Sequence, residues 1–347
     1  VDSISLFGGW LGKTPDELVL EVFSGDGGIR EAKVRQYEEL LDEYVSTLQD
    51  SGLATSTISN HVKAVKTFFR VHGVELKLPY PLVRRVKYAD RAPTQEELCK
   101  ILDVADLRGK VIVCLAALAG LREGTIAALR YKHMRDDLEA GREPICIYVP
   151  EEITKGKYAS YFTFLGGEGL YYLKLYFEER RRGTKKIPPE EFTDETPVIR
   201  DSRCKTPKPI TAKQVRMIVH QLYAKAGLLR SRRGRHYELR THSLRKFFKT
   251  QLIAKGVPEP YVEFMLGHVL DTYHDIRSKG VEFLRSIYAH ANLTIRPKEK
   301  ASIYDFIEDL LKARGYRVDR ELLRRAIMEP HRTVVTAEDV EEERRQL

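Results

Sequence analysis

Val111-Ile112-Val113-Cys114-Leu115-Ala116-Ala117-Leu118-Ala119-Gly120-Leu121-Arg122-Glu123-Gly124 is the stretch on which the fold turns. Every residue from Val111 to Leu118 is apolar, with neither a polar face nor alternation. Such a run predicts a helix buried on nearly all sides at the centre of a core. Gly120 interrupts it, and the first charge to follow is Arg122, set at the turn by which the chain leaves that core.

Upstream, Thr94-Gln95-Glu96-Glu97 pairs a capping threonine with a glutamate three residues later, a helix-start signature. Downstream, Ile145, Ile147 and Val149 alternate, Thr154-Lys155-Gly156-Lys157 makes a turn, and Tyr158, Tyr161, Phe162 and Phe164 return. This predicts a β-hairpin with lysine at its tip and strand-packing tyrosines beside it. Helices are expected around 167–182, 211–226, 243–255 and 258–266, separated by Pro and Gly signals. The fold class is therefore mostly α with a small β-sheet, an α+β domain.

A separate helical unit precedes it. Val34, Tyr37, Leu40, Leu41, Tyr44, Val45 and Leu48 recur at three- and four-residue intervals and end at Gly52. A second helix from Thr55 or Ser56 places Ile58, Val62, Val65 and Phe69 on one face and Lys63, Lys66 and Arg70 on another. Residues 1–30, rich in glycine and without a sustained period, read as a loosely structured N-terminal arm with one short helix near Pro15. The prolines of 78–93 enclose Arg84, Arg85, Lys87 and Arg91 and predict an extended basic linker. The expected domains are 31–88 and 89–297, followed by a charged helical tail over 298–347 with an apolar stripe of Ile303, Phe306, Ile307, Leu310, Leu311 and Leu322.

Composition narrows the function. The 347 residues are 42% hydrophobic and 31% charged, which excludes disorder, and no apolar run is long enough to span a membrane. Lys and Arg outnumber Asp and Glu by 59 to 50, for a net charge of +9 and a pI near 9.2, favouring a polyanionic partner. Cys99, Cys114, Cys146 and Cys204 lack the spacing of a zinc site or a disulfide framework. Asn60 and Asn292 are the only asparagines, and scarce amides beside abundant Glu, Lys and Arg match a thermophile pattern.

A phosphodiester attacked by an oxygen nucleophile gains negative charge, so a metal-free site needs fixed cations, a nucleophile and a proton donor for the leaving oxygen. Arginine suits the first task, because it stays charged and grips two phosphate oxygens at once. Arg122 is one candidate, and His242 with Arg245 in Thr241-His242-Ser243-Leu244-Arg245 is another, on one face of a helix near its N-terminus. His268 follows Gly267 at another helix end. The run Arg230, Arg232, Arg233, Arg235 and His236 reads as a loop within reach of phosphates.

The sequence here resembles the tyrosine recombinases, or phage-type integrases, particularly their archaeal members. The resemblance rests on Ala119-Gly120-Leu121-Arg122-Glu123-Gly124 with Ala128-Leu129-Arg130, then Thr154-Lys155-Gly156-Lys157, Thr241-His242-Ser243-Leu244-Arg245-Lys246 and Met265-Leu266-Gly267-His268 with tyrosine downstream. Each piece is weak alone; their order and separations make the set specific. It covers roughly residues 31–295.

What the resemblance implies is a site-specific DNA recombinase that cleaves and rejoins strands through a 3′-phosphotyrosyl intermediate, without metal or nucleotide cofactor. Arg122 and Arg245 would clamp the scissile phosphate, and Lys155, or its neighbour Lys157, would protonate the departing 5′ oxygen. His242 would accept the nucleophile's proton or donate to the phosphate, and His268 would hydrogen-bond the same phosphate. The nucleophile is Tyr273 or Tyr288: the common family spacing after Gly-His holds no tyrosine, Tyr273 comes early and Tyr288 late. Leu293-Thr294-Ile295 gives Tyr288 the context of a structural tyrosine, which leaves Tyr273 resembling the nucleophile.

The partner implied is double-stranded DNA, bound by a C-shaped clamp of a core-binding domain (31–88) and a catalytic domain (89–297). Lys63, Lys66, Arg70, Arg84, Arg85, Lys87, Lys157, Arg232 and Arg233 would meet its backbone. A homotetramer on paired sites and a cytoplasmic, DNA-associated location go with this, and no membrane. A type IB topoisomerase-like enzyme and a non-catalytic DNA-binding regulator of the same fold are the alternative readings.

Overall fold

The computed structural model describes residues 2–82, 90–157, 159–184, 187–229, 232–233, 236–268 and 276–296. The chain divides into two compact units, residues 1–90 with 231–238 and residues 91–230 with 239–347.

The first unit contains α1 (Asp2–Leu11), α2 (Pro15–Leu20), α3 (Glu31–Asp50) and α4 (Thr55–Val71). The periodic residues Tyr37, Leu41, Tyr44 and Val45 of α3 and Ile58, Val62, Val65 and Phe69 of α4 form its buried core. Residues 1–30 depart from the expected loose arm: Phe7, Leu18 and Val22 are fully buried in the same core. The Phe7 ring meets Tyr44 edge-on at 5.1 Å. Thr14 caps α2 reciprocally with Glu17, and Lys13 pairs with Glu21 at 2.7 Å. Helices of one to three turns carry too few apolar residues to show a period, so packing rather than patterning decides them. Lys63 and Arg70 on α4 are exposed, and none of Lys63, Lys66 and Arg70 has an ion-pair partner among the described residues. Arg84, Arg85 and Lys87 lie outside the described residues.

The second unit runs α5 (Gln95–Val104), α6 (Leu107–Ala117), α7 (Glu123–Ala128), α8 (Arg135–Glu139), β1 (Ile145–Val149), β2 (Tyr161–Leu165), α9 (Gly167–Arg182), α10 (Ala212–Lys225), α11 (Thr241–Ala254), α12 (Glu259–Met265) and α13 (Gly280–Ala291). Thr94 and Glu97 close the capping box read from the sequence. The all-apolar stretch is α6, whose residues Val111 to Ala117 are wholly buried; α9, α10 and α11 pack around it. β1 and β2 pair antiparallel, with Ile145 opposite Leu165 and Val149 opposite Tyr161. Their connection is longer than a tight hairpin turn and includes a 3-10 turn over Glu151–Ile153. Arg232–Arg233 and His236–Tyr237, expected as loop, form a second short antiparallel ribbon that belongs to the first unit. Among the described residues no helix is long and apolar enough to cross a membrane.

The end of α6 organises everything around it. Carbonyls in the last turn of a helix have no intrahelical donor and need partners from elsewhere. Leu118 O accepts the Tyr288 hydroxyl of α13 at 2.8 Å, Ala119 O accepts the Thr163 hydroxyl of β2 at 2.9 Å, and Gly120 O accepts from the Arg245 guanidinium of α11. Three elements are thus pinned to consecutive carbonyls. Gly120 makes the turn at φ +66°, and a Cβ there would sit 2.7 Å from the Phe248 ring. Gly120→Ala is therefore expected to destabilise the protein by more than the roughly 1–2 kcal/mol of a left-handed alanine, as measured by denaturant unfolding.

Candidate active site

Arg122 is the N-cap residue of α7, placed by the Gly120 turn at the end of the buried helix. Arg245 lies in the first turns of α11, only 3% exposed. The two come together on one atom. Arg245 Nη2 donates to the carbonyl oxygen of Leu266 at 2.9 Å, and Arg122 Nη1 donates to the same oxygen at 3.3 Å. Neither guanidinium has an ion-pairing carboxylate among the described residues. Burial, and then the charge of Arg122, lower the pKa of Arg245 to about 10, still far above neutrality. Two adjacent, unneutralised guanidiniums make a strong anion site, since like charges at close range are stabilised by an anion between them.

Leu266 is where α12 ends. His268 N-H bonds Glu263 O at 3.1 Å and Gly267 N-H bonds Phe264 O at 2.8 Å, with Gly267 at φ +64°. This closure satisfies the carbonyls of Glu263 and Phe264 and leaves that of Leu266 for the arginines. The His268 ring is partly exposed, with Nδ1 against the Glu263 carboxylate. Burial would raise the pKa of Glu263, but Lys249, at 2.5 Å, and His268 outweigh it and hold the carboxylate below its ordinary value. A charged Glu263 holds Nδ1 and so orients the imidazole. His242 is exposed one turn before Arg245, on the same face.

Lys155 and Lys157 are exposed in the β1–β2 connection, where Gly156 (φ +95°) and Lys157 (φ +55°) are left-handed. Thr125 of α7 donates to Ile153 O at 3.3 Å, which ties this connection to the helix that starts at Arg122. Tyr273 falls outside the described residues, and the residues on both sides of its segment have described partners. His268 is held on Glu263 on one side. On the other, Ile276 is buried and Arg277 donates to Ser160 O, next to β2.

Residues 92–273 match the model of the phage integrase family, more than half of the chain. The chain belongs to the phage integrase family. Tyrosine recombinase XerA of Pyrococcus horikoshii is 25% identical over 242 residues, which are 65% of this chain and 70% of that protein. Tyrosine recombinase XerC of Bacillus pumilus is 26% identical over 243 residues, again 65% of this chain and 70% of that one. Among solved structures the chain is similar to a lambda integrase dimer bound to a COC′ core site, with a TM-score of 0.48 and 15% identity over 76% of this chain and 81% of that one. The protein is thus a tyrosine recombinase, a site-specific DNA strand-transferring enzyme, with the mostly helical fold read from its sequence.

The stretch matched to the integrase model contains Arg122, Lys155, His242, Arg245, His268 and Tyr273 and ends before Tyr288. Tyr288 is 3% exposed and donates its hydroxyl to Leu118 O, and burial pushes its pKa up. Tyr288→Phe is expected to cost about 1–3 kcal/mol of stability, the scale of leaving a buried carbonyl unpaired, while covalent attachment to DNA persists; thermal unfolding and adduct formation on the same sample check both. Sequence reasoning missed Tyr161, taken there as strand packing, and the Leu266 carbonyl, which no side-chain pattern reveals.

Proposed function

We propose that this recombinase cleaves double-stranded DNA by attack of Tyr273 on a phosphate held by Arg122 and Arg245. The observation that carries this is the convergence of two guanidiniums, without a carboxylate partner, on the single Leu266 oxygen. A phosphodiester offers two non-bridging oxygens at the spacing of such a pair, and the charge that builds in the phosphorane meets donors already in place. The Tyr273 oxygen bonds to phosphorus, the bond to the 5′ oxygen breaks, and Lys155 at the exposed connection supplies the proton to that oxygen. Lys157 stands beside it as a backbone contact. His242 takes the tyrosine proton or donates to the phosphate, and His268, oriented by Glu263, donates to the phosphate. The 3′-phosphotyrosyl link conserves the bond energy, and the reverse attack by a 5′ hydroxyl rejoins the strand.

The hold of His268 on Glu263 and of Arg277 on Ser160, the residue before Tyr161, supports Tyr273 over Tyr288, whose oxygen is already engaged deep in the core. Lys63, Lys66, Arg70, Arg84, Arg85, Lys87, Arg232 and Arg233 would neutralise phosphates along the duplex, which makes binding salt-dependent. Incubation with a duplex nicked near the cleavage site, in the presence of a chelator, tests the reading. The short leaving fragment diffuses away, and a covalent protein-DNA species accumulates. Its absence, with DNA still bound, contradicts the proposal.

Exchange between two duplexes needs four cleavages, hence four active sites and a tetramer on paired sites. The apolar stripe Ile303, Phe306, Ile307, Leu310, Leu311 and Leu322, outside the described residues, is the proposed connector between protomers. A chain truncated after Arg296 is expected to keep cleavage of single sites and to lose synaptic complexes, read by native gel mobility. Normal recombination by the truncated chain would rule the connector out.

A further inference from the structure

Two buried polar groups in the arginine cluster stand within interaction range of each other but make no hydrogen bond of good geometry. The Nε-H of Arg245 is one, although both Nη atoms of the same guanidinium are engaged. The hydroxyl of Tyr161, a residue 4% exposed at the start of β2, is the other. The tyrosine ring is seated on Gly267 so closely that a Cβ there would stand 2.4 Å from its Cε1. The preceding residue is Leu266, whose carbonyl holds Arg122 and Arg245, and the Tyr161 hydroxyl stands beside both arginines and Thr125. Buried donors are almost always satisfied, so two neighbouring groups left without a well-formed bond at a reaction centre point to a bond that tightens in the working state.

We propose that Tyr161 is a positioning residue for the arginine pair, its hydroxyl oxygen accepting the Arg245 Nε-H when a bound phosphate draws the Nη atoms toward itself. The inference rests on the phosphate-clamp reading above. Arg245 Nη1 is tethered to Gly120 O, and a second tether at Nε fixes the plane of the guanidinium, leaving Nη2 to grip the phosphate. The buried hydroxyl acts through Arg245. Gly267 follows from the same arrangement, because only a residue without Cβ admits the ring at that distance.

Tyr161→Phe keeps the ring and removes the oxygen. Adduct formation on the nicked duplex under single-turnover conditions is expected to slow by about ten- to a hundredfold, the scale of one hydrogen bond to a charged group. DNA affinity should hold, and the melting temperature should stay level or rise, since a buried hydroxyl without a well-formed bond is lost. A packing role predicts a wild-type rate, because the ring is kept, and a hydroxyl that only supports the fold predicts a lower melting temperature with the rate falling in step. In an Arg245→Lys background, which has no Nε-H at that place, the Tyr161→Phe step should shrink to a small fraction of its size. Wild-type rates for Tyr161→Phe, or an undiminished loss in the Arg245→Lys background, would overturn the proposal. If the unsubstituted protein forms no adduct, the strand-transfer reading fails, and the positioning role fails with it.

Discussion

Replacing Arg245 with alanine is expected to slow DNA cleavage by about two to three orders of magnitude, the loss seen when one preorganised donor is removed from a developing oxyanion. Arg122→Ala should act on the same scale. Both side chains bond the Leu266 oxygen, so the pair is brought together before any phosphate arrives. Arg245→Lys should not restore the rate: a lysine offers one point charge in place of a planar fork, and its single nitrogen cannot stand where both Nη atoms stand, one on Gly120 O and the other on Leu266 O. Single-turnover cleavage separates this from binding, which depends on many backbone contacts and should change little. Near-normal cleavage by both alanine variants would refute the clamp.

Tyr273→Phe is expected to abolish the covalent adduct altogether while DNA affinity remains, because only the nucleophilic oxygen is lost. The effect exceeds that of either arginine, since a missing donor slows a reaction that a missing nucleophile forbids. The companion change at Tyr288 should leave the adduct in place, its hydroxyl being committed to Leu118 O. Electrophoresis of the denatured reaction on the nicked duplex reads both outcomes in one experiment.

Where one physical signal dominates, the sequence was enough. A helix without a polar face can only be buried, and α6 is; threonine three residues before glutamate can only cap, and Thr94 does. The periodicity of α3 and α4 names the residues that fill the core of the first unit. Short helices escape this logic. Phe7, Leu18 and Val22 lie on segments too brief for a period, so α1 and α2 read as an arm although they complete that core. Likewise Arg232–Arg233 and His236–Tyr237 carry the composition of a loop but pair as a ribbon.

At the site, the order of motifs singled out the charged groups that the proposed reaction uses, but not what holds them. Arg122 and Arg245 are far apart in sequence, and their shared acceptor is a backbone carbonyl, which leaves no trace in residue identity. The cue that was legible is Gly267: a left-handed glycine before His268 closes α12 and frees the Leu266 carbonyl. Tyr161 was hidden by its strand, where a buried tyrosine ordinarily means packing. Its buried hydroxyl appears only once β2 is laid against the end of α12.

The central proposal is that Tyr273 becomes covalently bound to DNA at a phosphate held by Arg122 and Arg245. Trypsin digestion of the adduct formed on a nicked duplex in chelator, followed by mass spectrometry, tests it most directly. The account predicts a nucleotide on the peptide from Gly256 to Arg277, with fragmentation placing it on Tyr273 rather than Tyr261. A nucleotide on the peptide that begins at Ser286 and carries Tyr288, or on one that carries Tyr161, would contradict it.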